Sequence, residues 1–198
     1  LLDQFCVSYA PSARFLYLCP KPKSNTTQHL LGIGNPLPYD NTFCALPFSE
    51  IEVEWIRSIF PGSSKVLYRE AATRKSMESE MQLATHIHIA CHGDFIFSDP
   101  MFSGFYLSNH SKYFAAQLFS QQEALKAQFA VLSACQTAIP DFESGTNEIT
   151  GLITAFLWAG VPKILGTLWP IDDLSTALLM MRFYQYYLNR GPTIDKEP

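Results

Sequence analysis

The chain lacks a long hydrophobic segment. Of its 198 residues, 47% are hydrophobic, yet no apolar run reaches the roughly 18 residues that a membrane-spanning helix requires. Its first residues, LLDQFCVSYAPSARFLYLC, also lack the charged start and the small-residue cleavage site of a secretory signal peptide. These two absences predict a cytoplasmic protein that has no membrane partner.

Positive charge is scarce. The chain has 14 Lys and Arg residues against 18 Asp and Glu residues, which gives a net charge of −4. No basic stripe is present that would neutralise a phosphate backbone. Direct binding of nucleic acid is therefore not expected.

The cysteines are few and follow no disulfide pattern. Five cysteines occur at wide, irregular spacing: Cys6, Cys19, Cys44, Cys91 and Cys135. An odd number without a spacing pattern favours free thiols in a reducing compartment. Any cysteine chemistry is then expected to be thiolate chemistry.

Patterns for metal and cofactor binding are also weak. His86 and His88 alternate along one predicted strand, close to Cys91 and His92. A structural zinc site needs four ligands in paired spacing, and no C-x-x-C pair is present. GIGNP lacks the third glycine of a dinucleotide-binding fingerprint and predicts a turn. We expect neither a metal nor a cofactor.

The composition changes near residue 28. The segment PKPKSNTTQ, at residues 20–28, collects Pro, Lys, Ser, Asn and Thr without an apolar period. We interpret residues 1–28 as an N-terminal extension or a linker from a longer chain. Residues 29–198 then form one domain.

Strand and helix patterns alternate through this domain. Strands are predicted at HLLGIG, KVLYRE, HIHIAC, FAVLSAC and KILGTL, and a hairpin at FYLSN and KYFAA. Helices are predicted at SEIEVEWIRSIF, TRKSMESEMQLA, SQQEALKAQ, ITGLITAFLWAG and LSTALLMMRFYQYYLNRG. The first residue of the second segment, Thr73, and that of the third, Ser120, are the predicted N-caps. GDFIFSDPMFSG is predicted to be a loop. The alternation predicts an α/β fold with a mostly parallel central sheet covered by helices on both faces.

Reactive side chains end two of the predicted strands. HIHIAC leads into His92 and Gly93, and FAVLSAC ends at Cys135. The carboxyl ends of parallel neighbours meet at one edge of a sheet, where ligands and catalytic groups gather. A histidine there can take the proton of a thiol and later protonate a leaving amine. The backbone N–H groups of Gly93 and Cys135 are suited to stabilise an oxyanion. The pattern predicts a His/Cys peptidase dyad.

The cysteine also has a recognisable context. The caspase signature is Q-A-C-[RQG]-G with a histidine roughly 50 residues upstream; here the sequence is SACQT, and His92 lies 43 residues before Cys135. Four motifs, HIACHGDF, VLSACQTA, GLITAFLWAGV and LGTLWPIDD, occur in the order in which they recur in the CHAT family. The likeness includes GIGNP and LPFSEIEVEWIRSIFPG, so the chain resembles CHAT domains from about Leu30 to about Gly191.

The resemblance carries its own expectations. CHAT domains resemble caspases and separase and commonly follow tetratricopeptide repeats, which implies a caspase-like three-layer sandwich. The resemblance also implies that His92 is the catalytic histidine, that Gly93 is the glycine of the oxyanion hole and that Cys135 is the nucleophile. Trp169 and Asp172 or Asp173 match positions that shape the pocket for the residue before the cleaved bond. An acidic side chain at that pocket suggests a basic substrate residue.

Several of these residues have a purely structural interpretation. Cys91 fits a buried, inert thiol, and Ser133 fits a small packing residue because it lacks a G-x-S-x-G pattern. Asp172 and Asp173 precede the last predicted helix, where a carboxylate also acts as a cap. Capping and pocket lining both stay open for these two residues.

Two functions are compatible with the sequence. The first is a cysteine endopeptidase that cleaves a protein substrate through an acyl-enzyme, with an upstream helical-repeat region or a regulatory protein switching it on. That partner is expected to order the loops at residues 93–103 and 136–148, which flank the site and are rich in Gly, Pro, Asp and Ser. The second is a catalytically silent, caspase-like module for protein interaction or signalling.

Overall fold

A computed structural model describes most of the predicted domain. It describes residues 27–37, 43–96, 98–121, 124–134 and 151–190, together with Ala10 and Ser12. Cys135, Gly191 and nearly all of the predicted extension at 1–28 lie outside the described residues.

The described chain alternates between strands and helices, as predicted. The strands are β1 (His29–Gly34), β2 (Ser63–Tyr68), β3 (His86–Ala90), β4 (Gly93–Asp94), β5 (Gly104–Leu107), β6 (Ser111–Phe114), β7 (Phe129–Ser133) and β8 (Ile164–Gly166). The helices are α1 (Pro47–Ile59), α2 (Arg74–Met81), α3 (Ala115–Phe119), α4 (Leu152–Trp158) and α5 (Asp173–Arg190). Within the described ranges, no helix has the length and apolar character needed to cross a membrane.

Five strands form the central sheet. Their order is β2-β1-β3-β7-β8, and every neighbouring pair runs parallel. The central strands β3 and β7 are buried along their whole length, as expected for parallel strands that are covered on both faces. The other three strands form a small antiparallel sheet in the order β4-β5-β6. The predicted α/β fold with a mostly parallel sheet is confirmed.

Helices cover both faces of the central sheet. Successive residues of a strand point to opposite faces, so Leu31 and Ile87 join one core while Leu30 and Val131 join the other. Helices α2, α3 and α4 contribute to the first core, and α1 and α5 contribute to the second. The result is the three-layer sandwich that the resemblance implied.

The small sheet contains the predicted hairpin and one strand that was missed. FYLSN and KYFAA form β5 and β6, which pair in antiparallel orientation. GDFIFSDPMFSG was predicted to be a loop, but its first two residues form β4 and pair with β5. A two-residue strand is too short to produce an apolar period that would predict it.

The segment before β7 differs from the prediction. A helix over SQQEALKAQ with Ser120 as its N-cap is wrong, because Ser120 is the C-cap of α3 and residues 124–128 are not helical. Leu125 and Ala127 are both buried, and the Leu125 N–H donates to the carbonyl of Ala159 over 2.7 Å. Contacts with a distant segment therefore outweigh the local helix propensity.

Two histidines of β3 lie in the core beneath α1 and α5. The Nε2 atom of His88 is 2.7 Å from Glu52 Oε1, and its Nδ1 atom is 3.3 Å from the Tyr184 hydroxyl. His86 is buried as well, and both of its ring nitrogens contact hydroxyl groups. In the described part of the chain, no group of three or more His, Cys, Asp or Glu residues is arranged to hold a metal ion. These histidines join β3 to the helices above it.

His86 is expected to make the fold sensitive to acid. Burial lowers its pKa to about 4, compared with about 6.5 in an unfolded chain. Between pH 7 and pH 5 the unfolded chain therefore takes up a proton that the folded chain does not, and stability is lost as the pH falls. Through this residue, the free energy of unfolding should drop by about 2 kcal/mol over that range.

The substitution His86→Gln should remove most of this drop, because glutamine cannot titrate but can still bond to the hydroxyl of Tyr187. Urea unfolding of both proteins at pH 7 and pH 5 measures the difference. The His88–Glu52 pair is present in both proteins, so the comparison isolates the contribution of His86. Equal pH dependence in the two proteins would contradict a neutral, buried His86.

Candidate active site

The candidate site lies at the carboxyl edge of β3 and β7. These strands are parallel neighbours, and Ala90 of β3 lies opposite Ser133 of β7. His92 comes two positions after Ala90, and in the sequence Cys135 comes two positions after Ser133. The structure describes His92 but not Cys135, so the expected proximity of imidazole and thiol stays a prediction.

A main-chain carbonyl holds the His92 ring. The Nε2 atom of His92 lies 2.7 Å from the carbonyl oxygen of Cys44. A carbonyl can only accept a hydrogen bond, so Nε2 carries the proton. In a neutral imidazole Nδ1 is then the unprotonated nitrogen, which is the form that acts as a base.

Aromatic packing also holds the ring. Phe43 stacks on His92 with ring centroids 4.8 Å apart, and its ring also contacts that of Tyr106, with centroids 4.5 Å apart. The Tyr106 hydroxyl donates to Asp94 Oδ2 over 2.9 Å, and Lys112 binds the same carboxylate. The histidine is therefore fixed from the small sheet on one side and from the segment before α1 on the other.

Gly93 follows the histidine directly and begins β4. It is half-buried and lies opposite Phe105 of β5. The Tyr106 N–H donates to the carbonyl of His92 over 2.8 Å, which fixes the peptide that joins His92 to Gly93. Its role at an oxyanion stays a prediction.

The segment between β8 and α5 meets the end of β7. The Thr167 hydroxyl donates to the carbonyl of Ala134, the last described residue after β7. Trp169 follows two positions later, and 65% of its surface is exposed. The segment that was expected to shape a substrate pocket is therefore attached to the same edge as His92.

The two aspartates of this segment cap different helices. Asp172 Oδ1 accepts hydrogen bonds from the N–H and the hydroxyl of Ser175, both at 2.9 Å, and so caps α5. These bonds lower the pKa of Asp172. Asp173 Oδ2 instead accepts from the Phe48 N–H over 3.0 Å, at the start of α1. Burial raises the pKa of Asp173. The predicted cap of the last helix is confirmed for Asp172, whereas Asp173 binds the start of a different helix, α1.

The structural interpretations of two neighbouring residues are also confirmed. Cys91 is 2% exposed, belongs to the core beneath α2 to α4, and directs its thiol at the carbonyl of His92. Ser133 is buried at the end of β7. Neither side chain is placed as a solvent-accessible nucleophile.

The residues that hold His92 were not predicted from the sequence. Phe43 and Cys44 lie almost 50 positions upstream, and a bond to a main-chain carbonyl does not depend on which side chain the residue carries. The only visible signal was the nearby LPFSEIEVEWIRSIFPG motif, which marks the helix that follows.

Comparison with known proteins identifies a family. A family model described as the CHAT domain matches residues 1–196, whereas no curated protein matches the chain in sequence. The match includes the predicted extension, so a domain boundary near residue 28 stays a prediction. The chain belongs to the CHAT family, a family related to the caspase-like peptidases.

Proposed function

We propose that this chain is a cysteine endopeptidase that uses His92 and Cys135 as its dyad. The observation that carries the proposal is the bond from His92 Nε2 to the Cys44 carbonyl, because it leaves Nδ1 as the basic nitrogen. The parallel pairing of β3 with β7 supports it, since both strands lead to one edge. Membership in the CHAT family supports peptidase chemistry.

In the proposed reaction, Nδ1 of His92 takes the thiol proton of Cys135, and the thiolate attacks a peptide carbonyl of the substrate. The N–H groups of Gly93 and Cys135 stabilise the oxyanion. The C–N bond breaks, the amine leaves with the proton from His92, and the acyl group stays on sulfur as a thioester. Water, deprotonated by His92, then hydrolyses the thioester and restores the thiol.

The dyad is tested by alkylation of Cys135 with iodoacetamide at pH 6.5. An ordinary thiol, with a pKa of about 8.5, reacts slowly at this pH, whereas a thiol beside a base reacts faster. His92→Asn should slow the labelling about tenfold or more. Mass spectrometry that resolves each cysteine separates Cys135 from the other four thiols.

The matched control is His110→Asn, at an exposed histidine in the β5–β6 turn. Asparagine tolerates the positive φ of that position, and the labelling rate should stay unchanged. Equal rates in the unmodified chain and in both variants would overturn the dyad and favour a catalytically silent interaction module.

We also propose that Trp169 and Asp172 line the pocket for the substrate residue before the cleaved bond. Trp169 presents an exposed ring next to the edge that carries His92. Asp173 comes four positions after Trp169 in the chain, but its carboxylate is bound at the start of α1. We therefore assign the acidic character of the pocket to Asp172.

The pocket is tested with Asp172→Asn, which removes the charge and retains a good helix cap. The preference for lysine over glutamine before the cleaved bond should fall roughly tenfold, measured as kcat/KM on two peptides that differ only there. Asp173→Asn is the control and should leave the preference unchanged. A preference that survives Asp172→Asn would remove this residue from the pocket.

The last part of the proposal is regulation. A helical-repeat region or a regulatory protein is proposed to favour the arrangement in which the pocket is complete. Peptide cleavage by the 198-residue chain is compared with cleavage by the complete gene product. Faster cleavage by the complete product is expected, and equal, vigorous cleavage by both would contradict regulation by pocket ordering.

A further inference from the structure

The residue that follows β1 has an unusual backbone conformation. Asn35, in the GIGNP motif, has φ of +46° and is only 3% exposed. Asparagine adopts this left-handed region more readily than most residues, but glycine adopts it more readily still. A requirement for a turn therefore does not by itself explain a buried asparagine at this position.

The Asn35 side chain joins the segment before α1 to the first turn of α1. Its Oδ1 atom accepts a hydrogen bond from the Leu46 N–H over 2.9 Å. Its Nδ2 atom donates to Glu50 Oε1, in the first turn of α1. Each polar atom of the buried amide thus has a partner around the start of α1, and these hydrogen bonds offset the cost of burying the amide.

The Glu50 carboxylate is suited to hold that amide. Burial raises its pKa, but hydrogen bonds from Arg69 and Asn35 outweigh this effect, so the pKa of Glu50 lies below its usual value. The carboxylate is consequently ionised at neutral pH and accepts from both donors. Arg69 follows β2, so Glu50 ties the start of α1 to the ends of two strands.

The same segment holds the candidate catalytic histidine. Leu46 comes two residues after Cys44, whose carbonyl accepts the bond from His92 Nε2. The Asn35 backbone N–H also donates to the carbonyl of Ala90, over 3.2 Å, two residues before His92. Asn35 therefore contacts both supports of the histidine, the strand that carries it and the segment that binds its ring.

We propose that Asn35 is a positioning residue that fixes the Cys44 carbonyl and, through it, the ring of His92. The proposal rests on the proposed function, in which His92 activates Cys135. Asn35 does not touch the reacting atoms. It acts by holding Leu46, so that the Cys44 carbonyl keeps Nε2 protonated and presents Nδ1 as the base.

The first test is Asn35→Gly, which permits the positive φ and removes only the side-chain hydrogen bonds. Labelling of Cys135 by iodoacetamide at pH 6.5 should slow about five- to tenfold, the effect of one lost hydrogen bond at the upper end of the usual range. The pH midpoint of labelling should move up, toward that of an ordinary thiol at about 8.5. A residue that served only the turn would change thermal stability and leave this midpoint in place.

The matched control is Asn109→Gly. Asn109 also has a positive φ, +59°, but it is exposed in the β5–β6 turn and has no place in the proposed machinery. Its variant should label at the rate and the pH midpoint of the unmodified chain. If Asn35→Gly labels as the Asn109→Gly control does, the proposed role of Asn35 is wrong.

A second pair of variants keeps the test decisive if Asn35→Gly does not fold. Asn35→Asp sets a carboxylate against that of Glu50 and should slow labelling several-fold. Adding Glu50→Gln exchanges the donor and the acceptor, so that the introduced amide donates to the introduced carboxylate while Leu46 keeps its acceptor. Arg69 loses Oε1 as its acceptor, but its side chain is 57% exposed and can bond to water instead. Labelling should then return close to the rate of the unmodified chain.

The outcomes separate this inference from the proposed function. If the unmodified chain labels no faster than His92→Asn, the proposed function fails and the role of Asn35 fails with it. If the unmodified chain shows the His92-dependent rate but the double variant labels as slowly as Asn35→Asp alone, only the role of Asn35 is overturned.

Discussion

The parallel pairing of β3 with β7 is the constraint on which the rest of the structure depends. Both strands are buried on both faces, so helices must cover the sheet on each side. A shift of one residue would turn Ile87 and Ile89 to the opposite face of the sheet and bring His86 and His88 to the face that the isoleucines now occupy. The register is therefore costly to change. Because the two strands run in the same direction, their ends fall at one edge, and the histidine and its supports gather there.

Much of the fold could be predicted because it depends on local pattern. HIHIA and FAVLS are short apolar runs bounded by turn residues, and Thr73 caps α2 as expected, with its hydroxyl accepting from Ser76 N–H. The segment around Leu125 could not be predicted in the same way. Its residues have adequate helix propensity, but its backbone bonds to Ala159, which is distant in sequence. Such pairing leaves no periodic trace in a single sequence.

The candidate site was predictable only in part, for a related reason. His92 follows from its place after a buried strand, whereas the group that holds its ring is a main-chain carbonyl, which every residue possesses. Asp172 and Asp173 illustrate the same limit. Residue type correctly indicated helix caps, and Asp172 caps the helix that follows it, but only the tertiary structure shows that Asp173 reaches the start of α1.

The hydrogen bond from Phe48 to Asp173 affects the order in which the carboxyl edge of the central sheet is assembled during translation. The two residues lie 125 positions apart, so α1 leaves the ribosome long before its cap exists. Helix α5 also supplies Tyr184, whose hydroxyl contacts the buried His88. A ribosome-bound chain that has not yet produced α5 therefore has an uncapped α1 and an uncovered second core. The start of α1, directly after the segment that holds His92, gains this bond only after Asp173 has been made, so the carboxyl edge of the central sheet is complete only when most of the chain is present.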